Sequence, residues 1–123
     1  MKSIRSFLLL IFMAAGCSAS TYSISIIKLI NSPEKFVNMD MSVYGYFTTG
    51  VGGRLFLSEQ HAIDGDLASS IAVIDPSESG EMTLRCRKKY VHINAAFELD
   101  RNQYSLVNVK KIVDGNGIPC WEL

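Results

Sequence analysis

Residues 37–48, VNMDMSVYGYFT, constrain the fold more than any other stretch, because apolar and polar side chains alternate along them. A period of two is that of a β-strand with one face in a core and the other in water. The sequence therefore predicts a long half-buried strand here. Its inner face carries Val37, Met39, Met41, Val43, Gly45 and Phe47, and its outer face carries Asn38, Asp40, Ser42, Tyr44, Tyr46 and Thr48.

A second strand of the same kind is predicted over residues 90–99, where apolar residues at every other position run from Val91 to Leu99. Shorter apolar runs predict further strands, and capping residues or helical spacing predict short helices. The shorter strands are expected at residues 54–57, 70–75 and 104–113, and the helices at residues 26–30, 32–35 and 81–88.

Five strands with short helical insertions favour a small closed barrel over an open sheet, because closure leaves no unpaired strand edge. Gly45 supports a barrel, since a glycine in the middle of a strand marks a sharp bend or the close approach of another backbone. With 123 residues the chain has room for one domain. The sequence predicts a mainly β fold with short helical insertions.

The N-terminus predicts export. Two bases, Lys2 and Arg5, precede an apolar run over residues 7–15 that is too short to span a membrane permanently. The next residues, ending in Gly16 and Cys17, resemble a bacterial lipoprotein signal, in which the cysteine is lipidated and becomes the new N-terminus. Ala14 departs from the leucine usual at its position. The other interpretation is cleavage near Ala19, which would discard Cys17 and leave a secreted or periplasmic protein.

These features divide the chain into a signal peptide over residues 1–16, a tether over residues 17–24, and a barrel domain with a C-terminal tail over residues 25–123. Ser18 follows the cysteine, at the position where an aspartate would signal retention of a lipoprotein in the inner membrane. By resemblance, the palmitate-type anchor would hold the protein at the outer membrane of a Gram-negative cell, facing the periplasm.

Two cysteines, Cys86 and Cys120, remain when Cys17 is set aside. An exported chain meets an oxidising compartment, so the pair predicts a disulfide bond. A metal site with His61 or His92 and a pair of free thiols are the alternatives. No paired cysteine spacing of a zinc site is present, and neither a metal nor another cofactor is predicted.

Net charge argues against a nucleic-acid partner. The chain has twelve bases and twelve acids; loss of Lys2 and Arg5 with the signal leaves ten bases and a charge of −2. Phosphate neutralisation needs a basic surface. The main cluster of bases runs from Arg85 to Lys89, with Lys110 and Lys111 elsewhere, and is interpreted either as a solvated face or as a contact for anionic headgroups or an acidic partner.

The order of motifs along the chain resembles a group of small, mostly uncharacterised bacterial exported proteins with OB-like five-stranded barrels. The resemblance covers nearly all of the chain after the signal and implies an OB-like barrel here. Two departures stand out: Asn38 replaces a glycine before the first strand, and Ala95-Ala96 replaces Gly-Thr in the fourth. The motifs are SPEKF (32–36), VYGYF (43–47), RLFLSEQHA (54–62), SSIAV (69–73), KYVHINAAF (89–97) and SLVNVKKI (105–112).

OB-like barrels bind oligonucleotides or oligosaccharides on the face of their middle strands. Outward-facing Tyr44 and Tyr46, with Arg54 and Phe56 from the next strand, are predicted to form a stacking platform for such a ligand. The alternative is that these aromatic side chains shield the barrel beneath a helix or loop.

No recognisable catalytic motif is present: His61 is expected in a loop and His92 on the polar face of a strand. The sequence therefore predicts a lipid-anchored envelope protein that is not an enzyme and whose barrel binds an envelope protein or glycan. The alternatives are a periplasmic enzyme or metal-binding protein that uses a histidine, and an inhibitor or immunity-type protein.

Overall fold

The computed structural model describes residues 22–49 and 53–123, and the predicted signal peptide, Cys17 and most of the tether lie outside these ranges. The seven described strands are β1 (Tyr22–Ser25), β2 (Met39–Thr48), β3 (Arg54–Phe56), β4 (Ser70–Val73), β5 (Lys89–Asp100), β6 (Gln103–Asp114) and β7 (Pro119–Glu122). The three α-helices are α1 (Ile26–Asn31), α2 (Glu59–Ile63) and α3 (Glu81–Cys86), and 3-10 turns cover Pro33–Lys35 and Leu67–Ser69.

Five of the strands close into a barrel in the order β2, β3, β4, β6, β5 and back to β2. All neighbours in this ring are antiparallel except β4 and β6, which are parallel. The predicted mainly β fold with a small five-stranded OB-like barrel is confirmed. The two long alternating stretches, β2 and β5, lie side by side as the backbone of this ring.

Alternation along β2 and β5 is what builds the core. Met41, Val43 and Phe47 of β2 are completely buried, and Val43 lies directly opposite Ile93 of β5. Burying an aliphatic or phenylalanine side chain of this size contributes about 1.5 to 3 kcal/mol to folding. The polar residues between them point outward, so the outer faces of these two strands form one continuous surface.

Gly45 marks a close approach, as the sequence predicted. A Cβ atom at this position would lie 2.6 Å from Ile26 Cδ1, 2.6 Å from the Phe56 carbonyl oxygen and 2.8 Å from Leu55 Cγ. The glycine also sits where one edge of β2 changes partner, because β1 pairs with that edge before Gly45 and β3 pairs with it afterwards. Ile26 and β3 can therefore approach β2 this closely because residue 45 has no side chain.

Asn38 and Ala95 both lie beside irregular backbone. Asn38 adopts φ +65°, a left-handed conformation that glycine favours and asparagine tolerates, and its N–H donates to the Phe97 carbonyl at 2.7 Å. The ladder between β5 and β6 is irregular next to Ala95, where extra β6 residues bulge out and Asn108 has φ +50°.

Both ends of the domain differ from the expected tether and tail. Residues 22–24 were expected in the tether, but with Ser25 they form β1, which pairs in parallel with β2 and buries Ile24. At the other end, the tail contains β7, which pairs with β6 and buries Trp121. Each segment is too short to be conspicuous in the sequence and is held by its neighbour in the sheet.

Helices α1 and α3 cover the core with apolar side chains. The disulfide holds the end of α3 in place. Ile26 and Leu29 of α1 and Met82 of α3 are buried in the main core cluster. The predicted bond between Cys86 and Cys120 is present, with Cα atoms 5.5 Å apart, and it joins the end of α3 to β7. The disulfide therefore ties the C-terminal strand to the barrel.

Candidate ligand-binding face

Four aromatic or imidazole rings form a strip on the outer face of β2 and β5. Tyr44 lies opposite His92 in the strand register, and Tyr46 lies opposite Tyr90. The rings touch along the strip, with centroids 4.8 Å apart for Tyr44 and His92, 5.8 Å for Tyr44 and Tyr90, and 5.2 Å for Tyr46 and Tyr90. We call these four side chains the aromatic strip.

Exposure divides the aromatic strip into an open end and a covered end. Tyr44 is 46% exposed and His92 is also exposed, whereas Tyr46 and Tyr90 are half-buried. Helix α2 packs against β2 and β3, and the Glu59 N–H donates to the Tyr90 hydroxyl at 2.9 Å. The open end therefore offers ring surface to a ligand, and the covered end holds that surface in place.

Polar side chains border the open end. Ser42 of β2 and Asn94 of β5 form the next outward pair beyond Tyr44 and His92, and Lys111 of β6 lies opposite Asn94. All three are half-buried, so part of each polar group reaches the surface. Ring faces beside a hydroxyl, an amide and an ammonium group can stack a ligand and hydrogen-bond it at the same time.

The four residues predicted as a ligand face are divided by the structure. Tyr44 is open, and Tyr46 faces Phe56 directly across β2 and β3. Phe56 is only 5% exposed, so the shielding alternative describes this side chain. Arg54 is half-buried, and its Nε donates to Ser70 Oγ at 2.8 Å.

Burial changes the electrostatics at the covered end. The pKa of Tyr46 is raised, first by burial and then by the nearby charge of Glu59 and by Tyr90. The pKa of Arg54 is lowered by burial, although a guanidinium stays charged at any ordinary pH. Within residues 22–49 and 53–123, no carboxylate forms an ion pair with Arg54. Arg54 is thus a partly buried cation with one hydroxyl partner.

His61 lies on a helix and not in the expected loop, because Ser58 caps α2. Ser58 Oγ accepts from the His61 N–H at 3.3 Å and lies 2.6 Å from the ring Nδ1 of the same residue. The serine hydroxyl is committed to this cap. His92 sits in the aromatic strip, where its ring contacts Tyr44. In the part of the chain described, no group of three His, Cys, Asp or Glu side chains could hold a metal ion.

Two members of the aromatic strip, Tyr90 and His92, were missed by the prediction of the ligand face. Both stand at outward positions of the second alternating strand, so their orientation could be read from the sequence. Their proximity to Tyr44 and Tyr46 depends on antiparallel pairing of β2 with β5 and on its register. Pairing the two strands antiparallel, with their outward tyrosines aligned, would have placed Tyr90 and His92 beside Tyr44 and Tyr46.

Two clefts lined by described residues lie away from the strip, and neither exceeds about 290 Å³. One, of about 290 Å³, is lined by Lys28, Asn31, Ser32, Lys35 and Phe36. Another, of about 170 Å³, lies between α1 and the barrel against Phe97 and Tyr104. Small-molecule pockets usually hold about 300 to 1,000 Å³. The exposed strip is therefore a stronger candidate surface than either cleft.

Comparisons with known proteins add no assignment. Protein-family models, curated proteins and solved structures were all searched, and none matches the chain. Among the described residues, no helix is both long and apolar enough to cross a membrane. The aromatic strip and its surroundings therefore carry the functional argument.

Proposed function

We propose that this chain is a lipid-anchored cell-envelope protein whose OB-like barrel is a non-catalytic binding module for an envelope glycan. The observation that carries the proposal is the aromatic strip, whose open end presents Tyr44 and His92 to solvent. The disulfide between Cys86 and Cys120 is consistent with folding in an oxidising compartment. The N-terminal sequence up to Cys17 supplies the argument for the anchor.

A glycan suits this surface better than a protein does. The apolar faces of sugar rings can pack on the exposed rings, and sugar hydroxyls can exchange hydrogen bonds with Ser42 and Asn94 beside them. A stable protein interface of standard size buries about 800 Å² on each partner around an apolar centre. The open end has only two exposed rings, and polar side chains lie directly beside them. Its apolar area is therefore small for the centre of such an interface.

The anchor would keep this surface close to a membrane. Cys17 precedes Tyr22, the first residue of β1, by five positions. Each extended residue spans at most about 3.3 to 3.6 Å, so five span less than about 20 Å. A lipid on Cys17 would therefore hold the barrel within a short distance of the headgroups, where envelope glycans are concentrated.

Affinity electrophoresis of the mature protein in gels that contain envelope polysaccharide tests the binding. We expect retardation by at least one polysaccharide, and we expect Tyr44→Ala to lose about 1 to 3 kcal/mol of stacking, or roughly fivefold to a hundredfold in affinity. Leu99→Ala removes a similarly exposed apolar side chain from the other end of β5, seven residues from His92, and should bind normally. No retardation of the folded protein, or equal retardation of Tyr44→Ala, would overturn glycan binding at this surface.

Labelling with a radioactive fatty acid tests the anchor separately. We expect label in the wild-type protein and none in Cys17→Ser. If the wild type stays unlabelled, or if Cys17→Ser is labelled equally, the lipid anchor must be abandoned and the protein is secreted or periplasmic.

A further inference from the structure

A group of unpaired cations adjoins the covered end of the aromatic strip. Arg85, Arg87, Lys88 and Lys89 are all exposed and run from the last turn of α3 into the start of β5. We call these four residues the basic rim. The Lys88 N–H donates to the Phe47 carbonyl at 2.6 Å, and the next residues bring the chain to Tyr90 in the strip.

The local backbone fixes where the basic rim lies. Helix α3 ends at Cys86, Arg87 is extended, and Lys88 adopts φ +58°, which turns the chain into β5. The disulfide at Cys86 holds the last turn of α3 against β7. The charges are therefore carried by a short segment fixed at both ends, by the disulfide and by the pairing of Lys89 with Phe47.

The basic rim has no acidic partners among the described residues. Within residues 22–49 and 53–123, the one ion pair joins Lys110 to Asp40, 3.7 Å apart. Arg54, also without a carboxylate, lies opposite Thr48 on the far side of β2 from Lys89. Two strand spacings separate the backbones of Arg54 and Lys89, or about 10 Å. Cations therefore lie on both sides of the end of β2.

Carboxylates on neighbouring elements oppose these cations in part. Glu59, in the first turn of α2, lies near enough to Tyr46 to raise the pKa of that phenol. Glu81 precedes Arg85 by one turn of α3, and Asp114 of β6 lies opposite Val91, two residues beyond Lys89. The four cations of the basic rim, with Arg54, outnumber these three carboxylates. An anion that approaches the covered end would be attracted overall, and the attraction would increase if the charge of Glu59 were removed.

We propose that the glycan bound by this protein is an anionic polysaccharide. Its sugar rings stack on Tyr44 and His92, and its acidic groups pair with the basic rim. Guanidinium and ammonium groups bind carboxylate and phosphate oxygens through charge-assisted hydrogen bonds. This inference rests on the proposed function and adds the charge of the ligand. A single-stranded nucleic acid would also stack and pair, but the disulfide between Cys86 and Cys120 is typical of exported proteins, which meet polysaccharides outside the cytoplasm.

Titration calorimetry with two matched probes tests the charge of the ligand. The probes are polygalacturonate oligomers and the same oligomers with their carboxyl groups methyl-esterified. We expect at least tenfold tighter binding of the charged form at 50 mM salt, with the difference shrinking at 0.5 M salt because of screening. Equal affinity for the two forms would overturn the inference and leave the proposed function standing. Failure of both forms to bind would also overturn the inference, and retardation in the gels with envelope polysaccharide decides separately whether the proposed function stands.

Charge variants locate the contact. Lys88→Gln and Arg87→Gln should each weaken binding of polygalacturonate about threefold, and Glu59→Gln should strengthen it by a similar factor. Lys35→Gln is the matched control, because this exposed lysine precedes the opposite end of β2. An equal effect of Lys35→Gln and Lys88→Gln, or weaker binding by Glu59→Gln, would contradict a site at the basic rim. Tighter binding of oligo(dT) than of polygalacturonate would assign the surface to nucleic acid instead.

Discussion

The ring of Tyr44 stacks on the ring of Tyr90, with centroids 5.8 Å apart and planes 16° from parallel. The two residues belong to different strands and are diagonal neighbours in the register. Because Tyr90 is also held by the Glu59 N–H, the exposed ring of Tyr44 is supported from behind. A ring fixed in this way loses little side-chain entropy when a ligand packs on it.

Gly45→Ala should destabilise the barrel by about 1 to 3 kcal/mol, because the new methyl group would collide with Ile26, Leu55 and the Phe56 carbonyl oxygen. Urea denaturation measures the change in the free energy of unfolding. Gly115→Ala is the control: nothing lies within 4 Å of its added Cβ, and the change should stay within about 0.5 kcal/mol of zero. Similar stabilities for the two variants would contradict the close approach at Gly45.

Loss of the disulfide should lower the free energy of unfolding by about 3 to 4 kcal/mol, as the chain-entropy model gives for a sequence separation of 34 residues. Replacing both Cys86 and Cys120 by alanine adds the loss of packing at Cys86, which is completely buried. Urea denaturation of the wild-type protein with and without reductant measures the effect of the disulfide alone, because no residue is substituted. A change below about 1 kcal/mol would show that β7 is held by other contacts.

Asp75→Asn should destabilise the protein by about 1 to 2 kcal/mol at pH 7, because the Asp75 carboxylate accepts hydrogen bonds from the backbone and hydroxyl of both Ser77 and Thr83. Burial by itself raises the pKa of Asp75, but these hydrogen bonds outweigh burial and lower it. The folded pKa therefore lies below the unfolded value of about 3.9.

The sign of the pH dependence follows. The stability contributed by a carboxylate with a lowered pKa is fully present above the unfolded pKa and is lost as the pH falls through the folded pKa. The difference between wild type and Asp75→Asn should therefore be largest at pH 7 and shrink as the pH falls below the unfolded value of about 3.9. Glu78→Gln, in the same loop and exposed, should change stability by less than about 0.5 kcal/mol. A difference that grows on acidification would refute the assignment.

Local patterns in the sequence were sufficient to predict the barrel. Alternation located β2 and β5 and assigned their inner faces, and Gly45 was correctly interpreted as a point of close approach. The two cysteines that remain after Cys17 correctly predicted the disulfide. Each of these signals is strong because one residue type or one period leaves few structural alternatives.

The remaining features depend on long-range pairing. Strand β1 is a four-residue segment that is ordered by pairing with β2, and the bulge at Asn108 shifts the register of β6 against β5 beside Ala95. Helix α2 begins at the Ser58 cap in a stretch that otherwise reads as polar loop, and it packs against β3, where Phe56 is buried. The aromatic strip was predicted only in part, because Tyr90 and His92 join it through the register of β2 with β5.

The most direct test of the account is to map where a polysaccharide touches the protein by recording ¹H–¹⁵N spectra during titration with polygalacturonate oligomers. We expect shift changes concentrated at residues 42–46 of β2 and at residues 88–94, around the start of β5, and we expect their loss in Tyr44→Ala with the rest of the spectrum preserved. Shift changes confined to the cleft beside Phe97 and Tyr104, or binding that leaves residues 42–46 and 88–94 unperturbed, would contradict it.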